Sequence, residues 1–248
     1  MTALGTEHVV DLSRDLPLTL HEAGSGPTIL LLHGGAGPES VSSVVEHFMH
    51  THHVLAPTHP GWNGTPRPDR LNSVASLAAA YLDLLAQRGL QDVSVLGSSF
   101  GGWIAAQMAI QDTASRVGSI ILVDAIGPRP EPQHRPASDR DADAPPASGG
   151  PSAAALALLG AYTGPDMWDA DLSQNLAGVA IPALIVWGEH DPVLTPDFGR
   201  AYARAIPGAT FTLIEGAGHL PTSQAPEPTF TAVDEFLTSN QASAADAS

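Results

Sequence analysis

The chain has no cysteine, which excludes a disulfide framework, a thiolate nucleophile and any metal site built on cysteine sulfur. Lysine is absent too: the ten basic residues are all arginine and face 26 acidic ones, for a formal net charge of −16. A surface so short of positive charge is repelled by nucleic acid and by anionic membranes, so neither is expected as a partner. No apolar run approaches the ~20 residues of a membrane span. Residues 1–12 have neither the basic start nor the apolar centre of a secretory leader, and the expected location is cytoplasmic. Aromatic residues are sparse at 5%.

Glycine and proline are plentiful, 24 and 22 residues, and hydrophobic residues make up 43% of the 248. That length suits one large α/β domain or two small ones. Residues 7–12 and 16–22 alternate in polarity on either side of Ser13-Arg14-Asp15, a pattern that predicts an antiparallel hairpin at a sheet edge. Apolar runs at 28–32, 93–96, 117–123 and 183–187 read as strands covered on both faces. Residues 53–56 and 210–214 add two more, making eight. Helical spacing predicts helices over 41–50, 73–88, 152–162, 198–206 and 229–237, with Ser73 as an N-cap and Gly89 as a stop. Strands alternating with helices imply crossover connections and a mainly parallel sheet, whose functional loops lie at the carboxyl ends of the strands.

This divides the chain into a core of residues 1–125 and 179–238, interrupted by a small lid over 126–178. Residues 128–150 mix six prolines with arginines and acids and carry no large apolar side chain, so they are expected to be mobile. Residues 239–248 are small and polar, and a disordered tail is expected there.

Gly97-Ser98-Ser99-Phe100-Gly101 fits G-x-S-x-G at a strand-to-helix reversal, where glycines let the two elements approach and the serine hydroxyl is thrust outward. Ser98 points inward in this reading. Three further loops follow strands: His33-Gly34-Gly35-Ala36, Gly188-Glu189-His190-Asp191 and Gly216-Ala217-Gly218-His219. Asp124 also ends a strand. Together and in this order, these motifs make the chain resemble the α/β-hydrolase family over nearly its whole length.

The resemblance implies an α/β-hydrolase fold with a mainly parallel eight-stranded sheet, an N-terminal antiparallel hairpin and a small inserted lid. It implies Ser99 as nucleophile, Asp191 as the acid and His219 as general base, with backbone N–H groups of Phe100 and Gly35 as the oxyanion hole. Ala36 is the alternative to Gly35. Asp124 is the alternative acid, since some hydrolases of this fold carry it after that earlier strand. The chemistry agrees: a serine hydroxyl needs an imidazole to take its proton, and the imidazole needs a carboxylate to fix its tautomer. Such a relay carries every proton transfer itself, so no cofactor is expected.

Among the remaining candidates, His33 reads as a loop organiser, while His47, His50, His52 and His53 read as a solvated helix end, with no metal expected. Glu189 and His190 read as exposed loop residues. Trp62, Trp103, Leu156, Leu159 and Trp168 are candidates for a pocket that takes a small apolar molecule. Serine at the elbow sets the chain apart from haloalkane dehalogenases and most epoxide hydrolases, whose attacking group is a carboxylate. The implied reaction is hydrolysis of a carboxylic ester or lactone through an acyl-Ser99 intermediate. Hydrolysis of a C–C bond in a β-diketone or ring-cleavage product is the alternative, and a ligand receptor built on a hydrolase scaffold is a third reading.

Overall fold

The computed structural model describes residues 5–13, 15–131 and 151–246. Eight strands form one sheet: β1 (Thr6–Ser13), β2 (Leu16–Ala23), β3 (Thr28–Leu32), β4 (His53–Pro57), β5 (Val93–Ser98), β6 (Val117–Val123), β7 (Ala183–Gly188) and β8 (Thr210–Ile214). Their spatial order is β1-β2-β4-β3-β5-β6-β7-β8. The β1–β2 and β2–β4 pairings are antiparallel and all others parallel.

Alternation within the central strands decides what covers each face. Leu30, Leu32, Val95, Ile120, Leu122 and Ile185 enter one hydrophobic cluster. The intervening Ile29, Leu31, Leu96, Ile121, Leu184 and Val186 enter a second. Helices α2 (Val74–Gln87), α3 (Phe100–Gln111) and α6 (Pro196–Ala205) close the first face through Tyr81, Leu84, Ile104, Met108, Phe198 and Tyr202. Helices α1 (Ser42–Phe48) and α8 (Pro226–Asp246) close the second through Val44, Phe48, Phe230 and Val233. A short helix, α7 (Pro221–Gln224), leads into α8. Both faces of β3, β5, β6 and β7 are thus covered, which is why those strands read as apolar runs; β8, at the sheet edge, stays partly open.

The insertion between β6 and β7 carries α4 (Ala153–Thr163) and the single-turn α5 (Leu172–Leu176). Ser152 starts α4 by accepting the Ala155 N–H at 3.2 Å, the ordinary N-cap arrangement. The buried stripe of α4 runs Ala155, Leu159, Tyr162, the i, i+4, i+7 spacing of one helix face. Leu156 falls off that stripe and is 48% exposed; the expectation that it lines a pocket is corrected by this helical phase.

Of two other expectations, one falls largely outside the described residues and one changes. Most of the segment 128–150, expected to be mobile, lies outside the described residues from 132 onward. Its first residues are anchored: Pro128 bridges to Asp169, and the Arg129 guanidinium sits 4.8 Å above the Trp168 ring, a cation–π contact. The tail expected to be disordered from 239 is instead the continuation of α8 through Asp246. Its sequence, with neither glycine nor proline, lets the helix run past Leu237, the last buried apolar residue among those described. No described helix is long and apolar enough to cross a membrane.

Candidate active site

Ser99 sits between β5 and α3 with φ 53° and ψ −113°, a conformation that L-residues avoid at a cost of about 1–3 kcal/mol. The neighbouring glycines make the bend possible. A Cβ on Gly97 would lie 2.1 Å from the Gly101 carbonyl oxygen, and one on Gly101 would lie 2.0 Å from that of Leu32. Any side chain there would force strand and helix apart. The Ser99 N–H donates to the Val123 carbonyl at 2.8 Å, pinning the elbow to the end of β6.

Three side chains from distant parts of the chain meet here. The Ser99 hydroxyl lies 3.0 Å from His219 Nε2, and His219 Nδ1 lies 2.9 Å from Asp191 Oδ2. The Asp191 side chain is fully buried, while that of His219 is 20% exposed. The other carboxylate oxygen, Oδ1, accepts the N–H groups of Val193 at 2.7 Å and Leu194 at 3.2 Å. The carboxylate thus accepts three N–H groups. Because a carboxylate oxygen only accepts, the His219 nitrogen that faces it carries the proton, leaving Nε2 as the acceptor that faces the Ser99 hydroxyl.

The loop after β3 packs directly on the elbow: a Cβ on Gly34 would lie 3.2 Å from Ser99 Cβ. Its backbone is fixed by a histidine pair. His33 Nδ1–H donates to the Gly34 carbonyl at 2.7 Å, so the Gly35 N–H of the same trans peptide points the opposite way. The Gly35 carbonyl accepts Trp62 Nε1–H at 3.1 Å. Phe100, the first residue of α3, has an N–H with no intrahelical acceptor.

His33 is held in turn. Its Nε2 accepts the His59 N–H at 3.0 Å, while His59 Nε2–H donates to the His33 carbonyl at 2.9 Å. His59 Nδ1 accepts the Tyr81 hydroxyl. Every ring nitrogen is used, both tautomers are fixed, and both rings are neutral. Burial lowers His33 to about 4; burial, reinforced by the neighbouring His33, holds His59 well below the usual histidine range. The sequence reading missed His59 and Tyr81. The structure explains their place by register: β3 and β4 are parallel neighbours with Leu30 opposite Leu55, which brings the ends of the two strands, and the histidines that follow them, side by side.

Asp124, the alternative acid, is 0% exposed. Its Oδ1 accepts the Gly188 N–H at 2.8 Å, and its Oδ2 has no hydrogen-bond partner at ordinary geometry. Oxygens of Asp124 and Asp191 and a ring nitrogen of His219 lie within 4.8 Å of one another. Burial first, and then the charge of Asp191, push the Asp124 carboxyl well above the usual carboxylate range.

Of the pocket candidates, Leu159 reaches the site: a Cβ on Gly35 would lie 2.7 Å from its Cδ1. Trp62 is buried and stacks on Phe100 at 5.8 Å and on Tyr162 at 6.1 Å, tying the inserted segment to the elbow. Trp103 is buried against Gly127, where the chain enters the insertion. Trp168 lies under Arg129, and Leu156 faces outward, as given above. Glu189 and His190 are exposed, although Glu189 accepts the Gly216 N–H at 2.9 Å. The histidines near residue 50 separate: His47 pairs with Asp234 at 3.0 Å and His53 with Glu22 at 2.6 Å.

Residues 29–232 match the Alpha/beta hydrolase family, and the chain belongs to that family. It is similar to an uncharacterized protein of Mycobacterium tuberculosis, 26% identical over 264 residues that cover 87% of this chain and 76% of the relative. It is also similar to a 2-hydroxymuconate semialdehyde hydrolase of Pseudomonas putida, 32% identical over 114 residues, 44% of this chain and 40% of that protein. Among solved structures, an esterase of Thermogutta terrifontis superposes with a TM-score of 0.73 at 21% identity, covering 95% of this chain and 99% of the other.

Proposed function

We propose that this protein is a serine hydrolase that cleaves a carboxylic ester or lactone of a small apolar substrate through an acyl-Ser99 intermediate. The observation that carries the reading is the unbroken chain of hydrogen bonds from the Ser99 hydroxyl through His219 to Asp191 at 3.0 and 2.9 Å. His219 Nε2 takes the hydroxyl proton as Oγ attacks the carbonyl carbon, and the resulting imidazolium is stabilised by the Asp191 carboxylate. The oxyanion receives the Phe100 and Gly35 N–H groups, whose directions are set by the helix start and by His33. His219 then returns the proton to the leaving oxygen. A water molecule, deprotonated by the same nitrogen, releases the acyl group. Leu159 beside Gly35 gives the acyl side an apolar wall.

The test is labelling by a fluorophosphonate probe together with turnover of an ester and lactone panel. Ser99→Ala should abolish labelling with the fold intact, and labelling that persists in the variant would refute the assignment.

A second reading has its own support. The similarity to the 2-hydroxymuconate semialdehyde hydrolase favours C–C bond hydrolysis of a β-diketone or ring-cleavage product by the same three residues. A burst of nitrophenol from a nitrophenyl ester favours the first reading. Cleavage of β-diketones by an enzyme that leaves simple esters untouched favours the second.

A further inference from the structure

Helix α1 covers the second face of the sheet as far as β4, through Val44, Val45 and Phe48. Beyond it the hairpin leaves that face open: Glu7, Val9 and Asp11 of β1 are exposed, and Thr19 and His21 of β2 are half-buried. The step between helix and hairpin leaves a cavity of about 290 Å³, near the lower end of the range for small-molecule sites. None of Ser99, Asp191, His219 or Leu159 lines it. Register assembles its floor. Glu7 lies opposite His21, and His21 opposite Ala56, so the three side chains share one face. Thr58 continues β4 two residues past Ala56 on the same face, with its N–H donating to the Thr19 carbonyl at 2.9 Å. Thr58 is 6% exposed, and its hydroxyl makes no hydrogen bond with any described residue, although a buried hydroxyl ordinarily has a partner.

The walls add an apolar surface and negative charge. Pro38, Val41 and Val45 line one side, and the exposed Glu7 and Glu39 bring carboxylates to the rim. Glu39 Oε1 accepts the Asn63 amide at 3.1 Å, which leaves Oε2 unused. The Glu7 and His21 side chains make no hydrogen bond or ion pair with a described residue. No arginine is among the lining residues, and the chain has no lysine. Glu7, His21 and Glu39 are not close enough together to form a metal-binding group. We infer that this cavity is a second ligand site, which takes a small primary amine with an apolar body. An ammonium group has three N–H donors, and Glu7, Glu39 and Thr58 offer three unused acceptors, the two long rim side chains reaching inward by rotation about their own bonds. The apolar body lies against Val41 and Val45. A formal charge of −16 on the chain favours the approach of a cation.

The site is independent of the reaction proposed for Ser99, and so is its test. Benzylamine is titrated into the full chain at neutral pH and low salt, with calorimetry giving the affinity and NMR of the histidine ring protons giving the place. Benzyl alcohol, with the same ring and no charge, and benzoate, with the opposite charge, are the controls. Benzylamine is expected to bind about tenfold or more tightly than benzyl alcohol, the worth of one charge-assisted hydrogen bond, and benzoate is expected not to bind. The His21 ring signal, identified by its loss in His21→Gln, should shift and saturate with the amine. Glu7→Gln combined with Glu39→Gln should remove the preference for the amine over the alcohol. Thr58→Val should weaken the amine by about threefold or more without lowering Tm, since its hydroxyl has no partner in the chain to lose. Ser42→Trp, at an exposed position on the wall, should block the cavity, with circular dichroism as the folding control for every variant. Equal affinity for amine and alcohol overturns the inference, as does a preference that survives the double replacement. Shifts at His219 while His21 stays still would put the amine beside Ser99 and overturn it equally.

Discussion

His33 and His59 stand at the same end of the sheet as His219, and all three are histidines at the ends of strands or in the loops that follow them. What separates them is the partner of each ring nitrogen. The buried pair gives all four nitrogens to carbonyls, a backbone N–H and a tyrosine hydroxyl, so neither ring has a free site for a proton. His219 spends one nitrogen on a carboxylate and turns the other toward a hydroxyl on a strained residue. The same side chain is therefore held as a rigid strut in one place and, in the mechanism proposed above, serves as an exchangeable base in the other, with fixed dipoles and burial deciding which.

Breaking the base should have the largest effect. His219→Ala, like Ser99→Ala, is expected to lower turnover by about 10⁴-fold or more while leaving the melting temperature within a few degrees, since His219 is partly exposed. Single-turnover kinetics and thermal melting check the two halves of this statement. Breaking the strut should reverse the pattern. His59→Ala leaves the His33 carbonyl and the Tyr81 hydroxyl without partners, at about 2–5 kcal/mol, or on the order of 5–15 °C in Tm. The Ser99 labelling rate should fall as well, because the peptide carrying the Gly35 N–H loses its brace. A His59→Ala protein that melts like wild type would remove the strut from the comparison.

Acid sharpens the contrast. His33 is lowered to about 4 by burial, whereas the unfolded chain binds a proton near 6.5. The unfolded state therefore holds more protons between these values, and stability is lost as pH falls from about 6.5 to about 4. For His33 alone the difference is on the order of 3 kcal/mol, and His59 acts in the same direction. Urea denaturation at pH 7 and pH 4.5 should show this loss, and should show less of it in a chain with His33 replaced by glutamine.

What was legible in the sequence follows the same division. Strands such as Val117–Val123 were legible because burial on both faces leaves an unbroken apolar run. The elbow was legible because only glycine tolerates the approach of Leu32 and Gly101 backbone. His59 was not legible, since its partners are a carbonyl and a hydroxyl from residues 26 and 22 positions away, and such contacts leave no local periodicity. The exposed phase of Leu156 depended on which face of α4 docks, a tertiary choice that a uniformly apolar helix does not declare. The end of α8 was not legible because a short polar run without glycine or proline has the composition of a loose tail, although it continues the helix.

The smallest effect concerns the carboxyl pair, and its sign sets it apart from the histidine predictions. Asp124 is held above its ordinary range by burial and by Asp191, so over the interval between its unfolded and folded values the folded state holds the extra proton. Stability attached to Asp124 is then full below about 3.8 and declines as pH rises toward the folded value. Asparagine copies the protonated acid in shape and carries no proton to lose. Asp124→Asn is therefore expected to raise Tm at pH 7.5, with each kcal/mol appearing as about 2–4 °C in a chain of this size, and the gain should shrink as pH approaches 4. Melting both proteins across this range decides the matter. A variant less stable than wild type at pH 7.5 would mean that Asp124 is charged in the folded chain, and the site would then have to hold two buried carboxylates against a single imidazole.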